Sequence, residues 1–177
     1  MIDSLENNQK QQTLSKDIKF SGIGLHTGAY ANVTVKSCDE NTGIIFLRSD
    51  ILQNNKIVAS WKNVTSTVLS TTISNENSVS VSTIEHLMSA FSGMHIDNAI
   101  VVIDAPEIPI MDGSSEPFVE LIEKAGIKTQ NSKRKIIEII KEVKVSKDDS
   151  YVKISPNKEF SIDFEIEFES HLINKQA

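Results

Sequence analysis

The unbroken apolar run Ala99-Ile100-Val101-Val102-Ile103, inside residues 98–104, constrains the fold more than any other feature of this sequence. A strand with one face in water alternates apolar and polar residues. Five apolar side chains in a row predict a strand covered on both faces or lying at the centre of a sheet. The cover is readable on either side. Before the run, Ile84, Leu87, Met88 and Phe91 recur at helical intervals, Ser82 and Glu85 have the spacing of a capping box, and Gly93 is a stop. After it, Ser115 is a cap, Pro117 lies in the first turn, Phe118, Leu121, Ile122 and Ala125 form an apolar stripe, and Gly126 ends the helix.

Upstream, residues 31–36, 43–48, 57–61 and 67–73 are rich in Val, Ile and Thr, and turn clusters at 39–43 and 74–77 punctuate them. Together these elements predict an α+β fold, a two-layer domain of one sheet and two helices over residues 13–127. Residues 1–12 hold five Asn or Gln and few apolar side chains, which predicts a loose extension. Residues 128–134, KTQNSKR, are polar and predict a linker. Beyond them come strand candidates at 135–145, 150–155 and 160–168. In the last, Ile162, Phe164, Ile166 and Phe168 alternate with Asp163, Glu165 and Glu167. No helical pattern remains to cover that apolar face, so residues 135–177 are expected to be the incomplete start of a second, similar domain, with a strand face prone to self-association.

With 18 basic and 24 acidic side chains the net charge is −6, and no cluster of Lys or Arg supplies the basic footprint of a nucleic-acid partner. The single cysteine, Cys38, cannot form an internal disulfide or a C-x-x-C metal site, which fits a reducing compartment. No stretch approaches the roughly 20 apolar residues of a transmembrane helix, and the first residues carry no apolar export segment. A cytoplasmic location is expected.

Four places are able to carry chemistry. In Ser82-Thr83-Ile84-Glu85-His86-Leu87 a carboxylate and an imidazole stand side by side at a helix start, about 100° apart around the axis, so both can border one cavity. Imidazole is a common zinc ligand, and a neighbouring carboxylate can take a proton from metal-bound water. The capping box alone also accounts for Glu85, and His86 is equally compatible with a surface position. Gly22-Ile23-Gly24-Leu25-His26-Thr27-Gly28 sets three glycines around a histidine, as a plain hairpin or as a turn that approaches a ligand closely. The loop at 105–115 has two prolines and a helix start, either an anion site or a rigid connection with Asp112 capping a turn. Hydroxyls in Val68-Leu69-Ser70-Thr71-Thr72 fit cross-strand pairing. No histidine has a second ligand four residues away.

Taken together, GIGLHTG at 22–28, NTGIIF at 41–46, STIEHL at 82–87, IDNAI at 96–100 and PEIPIMDGSSEPF at 106–118 resemble, in order and spacing, the bacterial UDP-3-O-acyl-N-acetylglucosamine deacetylases, the zinc amidohydrolases of lipid A synthesis. The similarity runs from about residue 13 to the end of the chain. The resemblance implies two halves, each a sheet with two helices, with the active site between them, in a family expected to be monomeric. It also implies hydrolysis of the acetamide of UDP-3-O-(3-hydroxyacyl)-N-acetylglucosamine. By position His86 looks like the first zinc ligand and Glu85 like the general base. Leu69 and Ser70 resemble a wall of the site, with Ser70 where some relatives have cysteine, and His26 looks like a substrate contact; Asp112 is left as structural. The family's remaining zinc ligands, in an H-K-x-x-D motif, and its general-acid histidine belong to a second half, and these residues do not match them. The chain by itself is therefore expected to be inactive, either an incomplete part of the enzyme or a domain acting only in binding or association.

Overall fold

The computed structural model describes residues 10–176; the first nine residues of the expected extension lie outside the described residues. The chain divides into two units, Met1–Arg134 and Lys135–Ala177.

In the first unit the strands are β1 (Lys10–Leu14), β2 (Ile18–Ile23), β3 (Tyr30–Lys36), β4 (Ile44–Arg48), β5 (Lys56–Val58), β6 (Val64–Ser66), β7 (Thr72–Ser74), β8 (Ser80–Val81), β9 (Ala99–Ile103) and β10 (Ile127–Lys133). The helices are α1 (Glu85–Gly93) and α2 (Glu116–Ala125). The main sheet has the order β2-β3-β9-β4-β5, so the AIVVI strand β9 is the central one. It runs parallel to β4 and antiparallel to β3. Ala99, Val101 and Ile103 are fully buried, whereas Ile100 and Val102 are half-buried. The unbroken apolar run thus reflects central placement, with one face better covered than the other.

The helices supply that cover. α1 buries Leu87, Ala90 and Phe91, and α2 buries Phe118, Ile122 and Ala125. Phe20 of β2 meets Phe118 edge-on, with ring centroids 5.3 Å apart and planes at 64°. Each such buried Leu, Ile or Phe contributes about 1.5–3 kcal/mol, and aromatic edge contacts add about 0.5–1.5 kcal/mol. α2 ends as expected at Gly126, whose φ of +76° suits a residue without a Cβ.

Three boundaries differ from expectation. The capping box does not form: α1 begins at Glu85, after Ile84, with no side-chain cap, and Ser82 instead donates its N–H to Pro106 O at 2.9 Å. Ser115 occupies the N-cap position of α2 without a capping side-chain hydrogen bond. The expected linker is a strand: β10 pairs antiparallel with β1, which begins at Lys10, so folded structure starts before residue 13 and the unit runs on to Arg134. Buried Asn98 ties these strands together. Its Oδ1 accepts from Gly43 N–H at 2.8 Å, and its Nδ2 donates to Gln11 Oε1 at 2.8 Å and Gln130 Oε1 at 2.7 Å. Arg134 Nε pairs with Asp97 Oδ1 at 2.9 Å.

A smaller, separate sheet has its strands in sequence order, β6-β7-β8. Here a single strand was expected over residues 67–73, but residues 67–71 make a turn in which Leu69 has a φ of +60°. The expected hydroxyl pairing is found one step outside it, between Thr65 Oγ1 and Ser74 Oγ at 2.8 Å. Trp61, expected at the end of a strand, opens a short 3-10 turn.

The second unit contains the hairpin β11 (Val143–Lys147) and β12 (Ser150–Ile154), paired in register from Val143–Ile154 to Lys147–Ser150. The strand expected over 160–168 is reduced to β13 (Ile166–Glu167), paired with β14 (Lys175–Gln176). An alternating sequence without a neighbouring strand leaves its backbone groups unpaired, and a strand then does not persist. The apolar side chains of that stretch, Phe160, Ile162, Phe164 and Phe168, are nonetheless exposed.

Candidate active site

Glu85 is the first residue of α1 and is half-buried. Its Oε2 accepts the Thr71 N–H at 3.0 Å, and the Ile84 N–H returns to Thr71 O at 3.4 Å. The turn carrying Leu69 and Ser70 is thereby fastened to the helix start through the next residue, so the structure brings Leu69, Ser70 and Glu85 together. Leu69 is 84% exposed, an apolar side chain left in solvent at the edge of this junction. Beside it opens a cleft of about 430 Å³ lined by Trp61, Val64, Ile73, Ile84, Glu85 and Met88, among others. Glu85 is the acidic residue of that wall, and its Oε1 makes no hydrogen bond among the described residues. A carboxylate with one oxygen engaged and the other unbonded, on the wall of an apolar cleft, has the chemistry to accept a proton.

His86, half-buried, follows Glu85 about 100° further around the helix and is not among the residues that line this cleft. In that loop the Ser114 N–H and hydroxyl both donate to Asp112 Oδ1 at 2.9 Å. These hydrogen bonds hold the Asp112 carboxyl below the ordinary carboxylate range, with a smaller contribution from the charge of His86. Asp112 closes a turn ahead of α2. Among the described residues no three His, Cys, Asp or Glu side chains converge as a metal site. A catalytic zinc takes about three protein ligands, and the start of α1 offers one imidazole, that of His86.

His26 is exposed in the β2–β3 hairpin, where the Gly24 N–H donates to Ala29 O and the Gly28 N–H to Gly24 O. The glycines serve the hairpin and also a close approach, but the group approached belongs to the chain itself. Glu107, fully buried, accepts the His26 N–H at 3.0 Å on Oε1, the Thr27 N–H at 2.7 Å and Thr27 hydroxyl at 2.6 Å on Oε2, and the Thr83 hydroxyl at 2.8 Å on Oε1. A Cβ on Gly24 would overlap Glu107 Oε2. Burial pushes the Glu107 pKa up, but the donors of Thr27, His26 and Thr83 outweigh it and hold the carboxyl at about 2.

Thr83 itself has a φ of +56°. A β-branched residue in that region is a true outlier costing of order 1–3 kcal/mol, and the charge-assisted bond to Glu107 offsets part of that. Glu107, Thr83 and Thr71 are the residues that sequence reasoning did not single out. Thr83 and Glu107 stand inside the motifs that carry the resemblance and Thr71 in the 68–72 stretch, and an acidic residue flanked by Pro106 and Ile108 was the available signal for Glu107.

Residues 11–177 match the UDP-3-O-acyl N-acetylglycosamine deacetylase family. Among curated proteins the chain is similar to the UDP-3-O-acyl-N-acetylglucosamine deacetylase of Syntrophus aciditrophicus, 41% identical over 167 residues, covering 94% of this chain and 53% of that protein. It is 43% identical to the same enzyme of Pasteurella multocida over 95% of this chain and 55% of the relative, and 44% identical to that of Vibrio cholerae over 90% and 52%. The chain spans about half the length of the curated relatives it matches. No helix among the described residues is long and apolar enough to cross a membrane. With an α+β domain of the expected kind, a carboxylate–imidazole pair at a helix start and a match along nearly its whole length, the chain belongs to the UDP-3-O-acyl N-acetylglycosamine deacetylase family.

Proposed function

We propose that this chain forms the first-domain share of an active site that hydrolyses the N-acetyl group of UDP-3-O-(3-hydroxyacyl)-N-acetylglucosamine in lipid A biosynthesis. Glu85 is the general base, His86 is one zinc ligand, Leu69 and Ser70 form a wall, and His26 is a substrate contact at the rim. The observation that supports this is the Thr71–Glu85 hydrogen bond, which engages one carboxylate oxygen of a residue lining an apolar cleft and leaves the other without a hydrogen-bond partner among the described residues. The remaining zinc ligands are then supplied by other residues of the full-length protein, a reading supported by the absence, among the described residues, of a third ligand group converging with the single imidazole at the start of α1. A cytoplasmic location belongs to the same proposal and is supported by the single free thiol, Cys38.

Zinc stoichiometry of the purified 177-residue chain, with His86→Ala as control, tests the division of labour. No bound zinc in a folded sample is the expected result. Tight zinc at a fixed ratio, lost in the variant, would show that this chain or a second copy completes the site. The alternative, a domain acting only in binding or association, is separated by acetate release from the UDP-sugar in the full-length protein. Activity abolished by Glu85→Ala excludes it.

A further inference from the structure

We propose that Glu107 is a positioning residue for Glu85 and His86, its buried carboxylate holding Thr83 in the left-handed conformation from which α1 begins. The inference rests on the roles given to that pair above. Four observations lead to it. First, Glu107 is itself immobilised: its segment is stitched to Ser82 on both sides, Ser82 N–H to Pro106 O at 2.9 Å and Ile108 N–H to Ser82 O at 3.1 Å, and Ile110 N–H reaches Ile23 O at 3.1 Å. Second, α1 has no side-chain cap of its own, so the direction of its first turn is set by the residues just ahead of it. Third, Thr83 is buried, has φ +56° and gives its hydroxyl to Glu107. Glu85 follows two residues later, and a change of backbone dihedral at Thr83 swings both Glu85 and His86. Fourth, Glu107 is fully buried with both oxygens engaged by the chain's own donors, which keeps it from touching substrate or metal. The same carboxylate fastens the His26–Thr27 turn to this junction, so three segments far apart in sequence are held to one point.

Amide hydrogen exchange on the 177-residue chain tests this without substrate or metal. The Thr71 N–H reports the position of the Glu85 carboxylate, to which it is bonded. In Thr83→Ala the Thr71 amide is expected to exchange at least about tenfold faster, while the His26 and Thr27 amides and those of β9 stay at their wild-type rates. Thr83→Ser, which keeps the hydroxyl, is expected to restore Thr71 protection. In Glu107→Gln the His26, Thr27 and Thr71 amides should all lose protection together. Wild-type protection of Thr71 in Thr83→Ala would overturn the proposal, leaving Glu107 as a fastener of the hairpin alone. If Glu107→Gln does not fold, the two Thr83 variants still decide. In the full-length enzyme Thr83→Ala should lower kcat with KM little changed, and Thr83→Ser should recover it. A protein that shows the exchange coupling but releases no acetate overturns the catalytic roles and leaves the Glu107–Thr83 coupling standing.

Discussion

The Thr71 backbone N–H and the Glu85 carboxylate are bonded at 3.0 Å, although 14 residues separate them. Thr71 follows the Leu69–Ser70 turn and Glu85 opens α1, so one hydrogen bond joins two segments that both line the cleft. The free Glu85 oxygen has a defined direction only while this bond is made.

A split between structure and chemistry at Glu85 follows. Glu85→Gln retains a carbonyl oxygen for the Thr71 N–H and is expected to leave Tm within about 2 °C, since an exposed or half-exposed isostere changes stability by roughly ±0.5 kcal/mol. It cannot accept a proton, and acetate release by the full-length protein is expected to fall about 100- to 10,000-fold. Activity within threefold of wild type would remove Glu85 from the reaction.

The helices, the central strand β9 and the Gly126 stop were legible because each is written locally, in spacing of apolar residues or in one glycine. The junction at Thr83 was not. The Ser82–Glu85 spacing of a capping box is a local signal, and it lost to the Ser82–Pro106 and Thr83–Glu107 hydrogen bonds, whose partners lie 24 residues along the chain. The KTQNSKR stretch misled for a related reason: β10 is held by hydrogen bonds of polar side chains, Gln130 Nε2 to Cys38 O at 2.8 Å among them, and not by an apolar face. Polar composition marks a linker only when those side chains have nothing to bond. The glycines of GIGLHTG do signal a close approach, but sequence alone cannot tell a ligand from the chain's own Glu107.

The depressed Glu107 carboxyl makes part of the stability pH-dependent. An unfolded Glu titrates near 4.5 and Glu107 in the fold at about 2. Its contribution is complete above pH 4.5 and is lost as the pH falls through 2, because over that window the unfolded chain binds the extra proton. Between pH 5 and pH 3 the wild-type chain should therefore lose about 2 kcal/mol that Glu107→Gln, already lower at pH 5, does not lose. Urea unfolding at the two pH values gives both numbers. Equal losses in the two proteins would show that Glu107 is not the group responsible.

Gly24 and Gly93 should respond oppositely to alanine. At Gly24 the new methyl meets the Glu107 carboxylate and the Thr27 hydroxyl, so Gly24→Ala is expected to cost about 1–3 kcal/mol. At Gly93, the last residue of α1, a Cβ meets nothing within 4 Å, and alanine's helix propensity gains up to about 1 kcal/mol. Thermal melts of the pair, run together, test whether close packing against Glu107 is the reason for glycine at 24.

Cutting the chain at two places tests where its first domain ends. A chain cut after Arg134 keeps β10 beside β1, the Gln130 bonds and the Arg134–Asp97 pair. A chain cut after Gly126 loses all of them, and Asn98 and Gln11, both buried, lose hydrogen-bond partners. Each buried polar group left unsatisfied costs about 1–3 kcal/mol, against a total stability of about 5–15 kcal/mol. The shorter piece is therefore expected to melt at least about 10 °C below the longer one, or without a cooperative transition. Were residues 128–134 a linker, the two would melt together, because a linker contributes nothing to the fold it leaves.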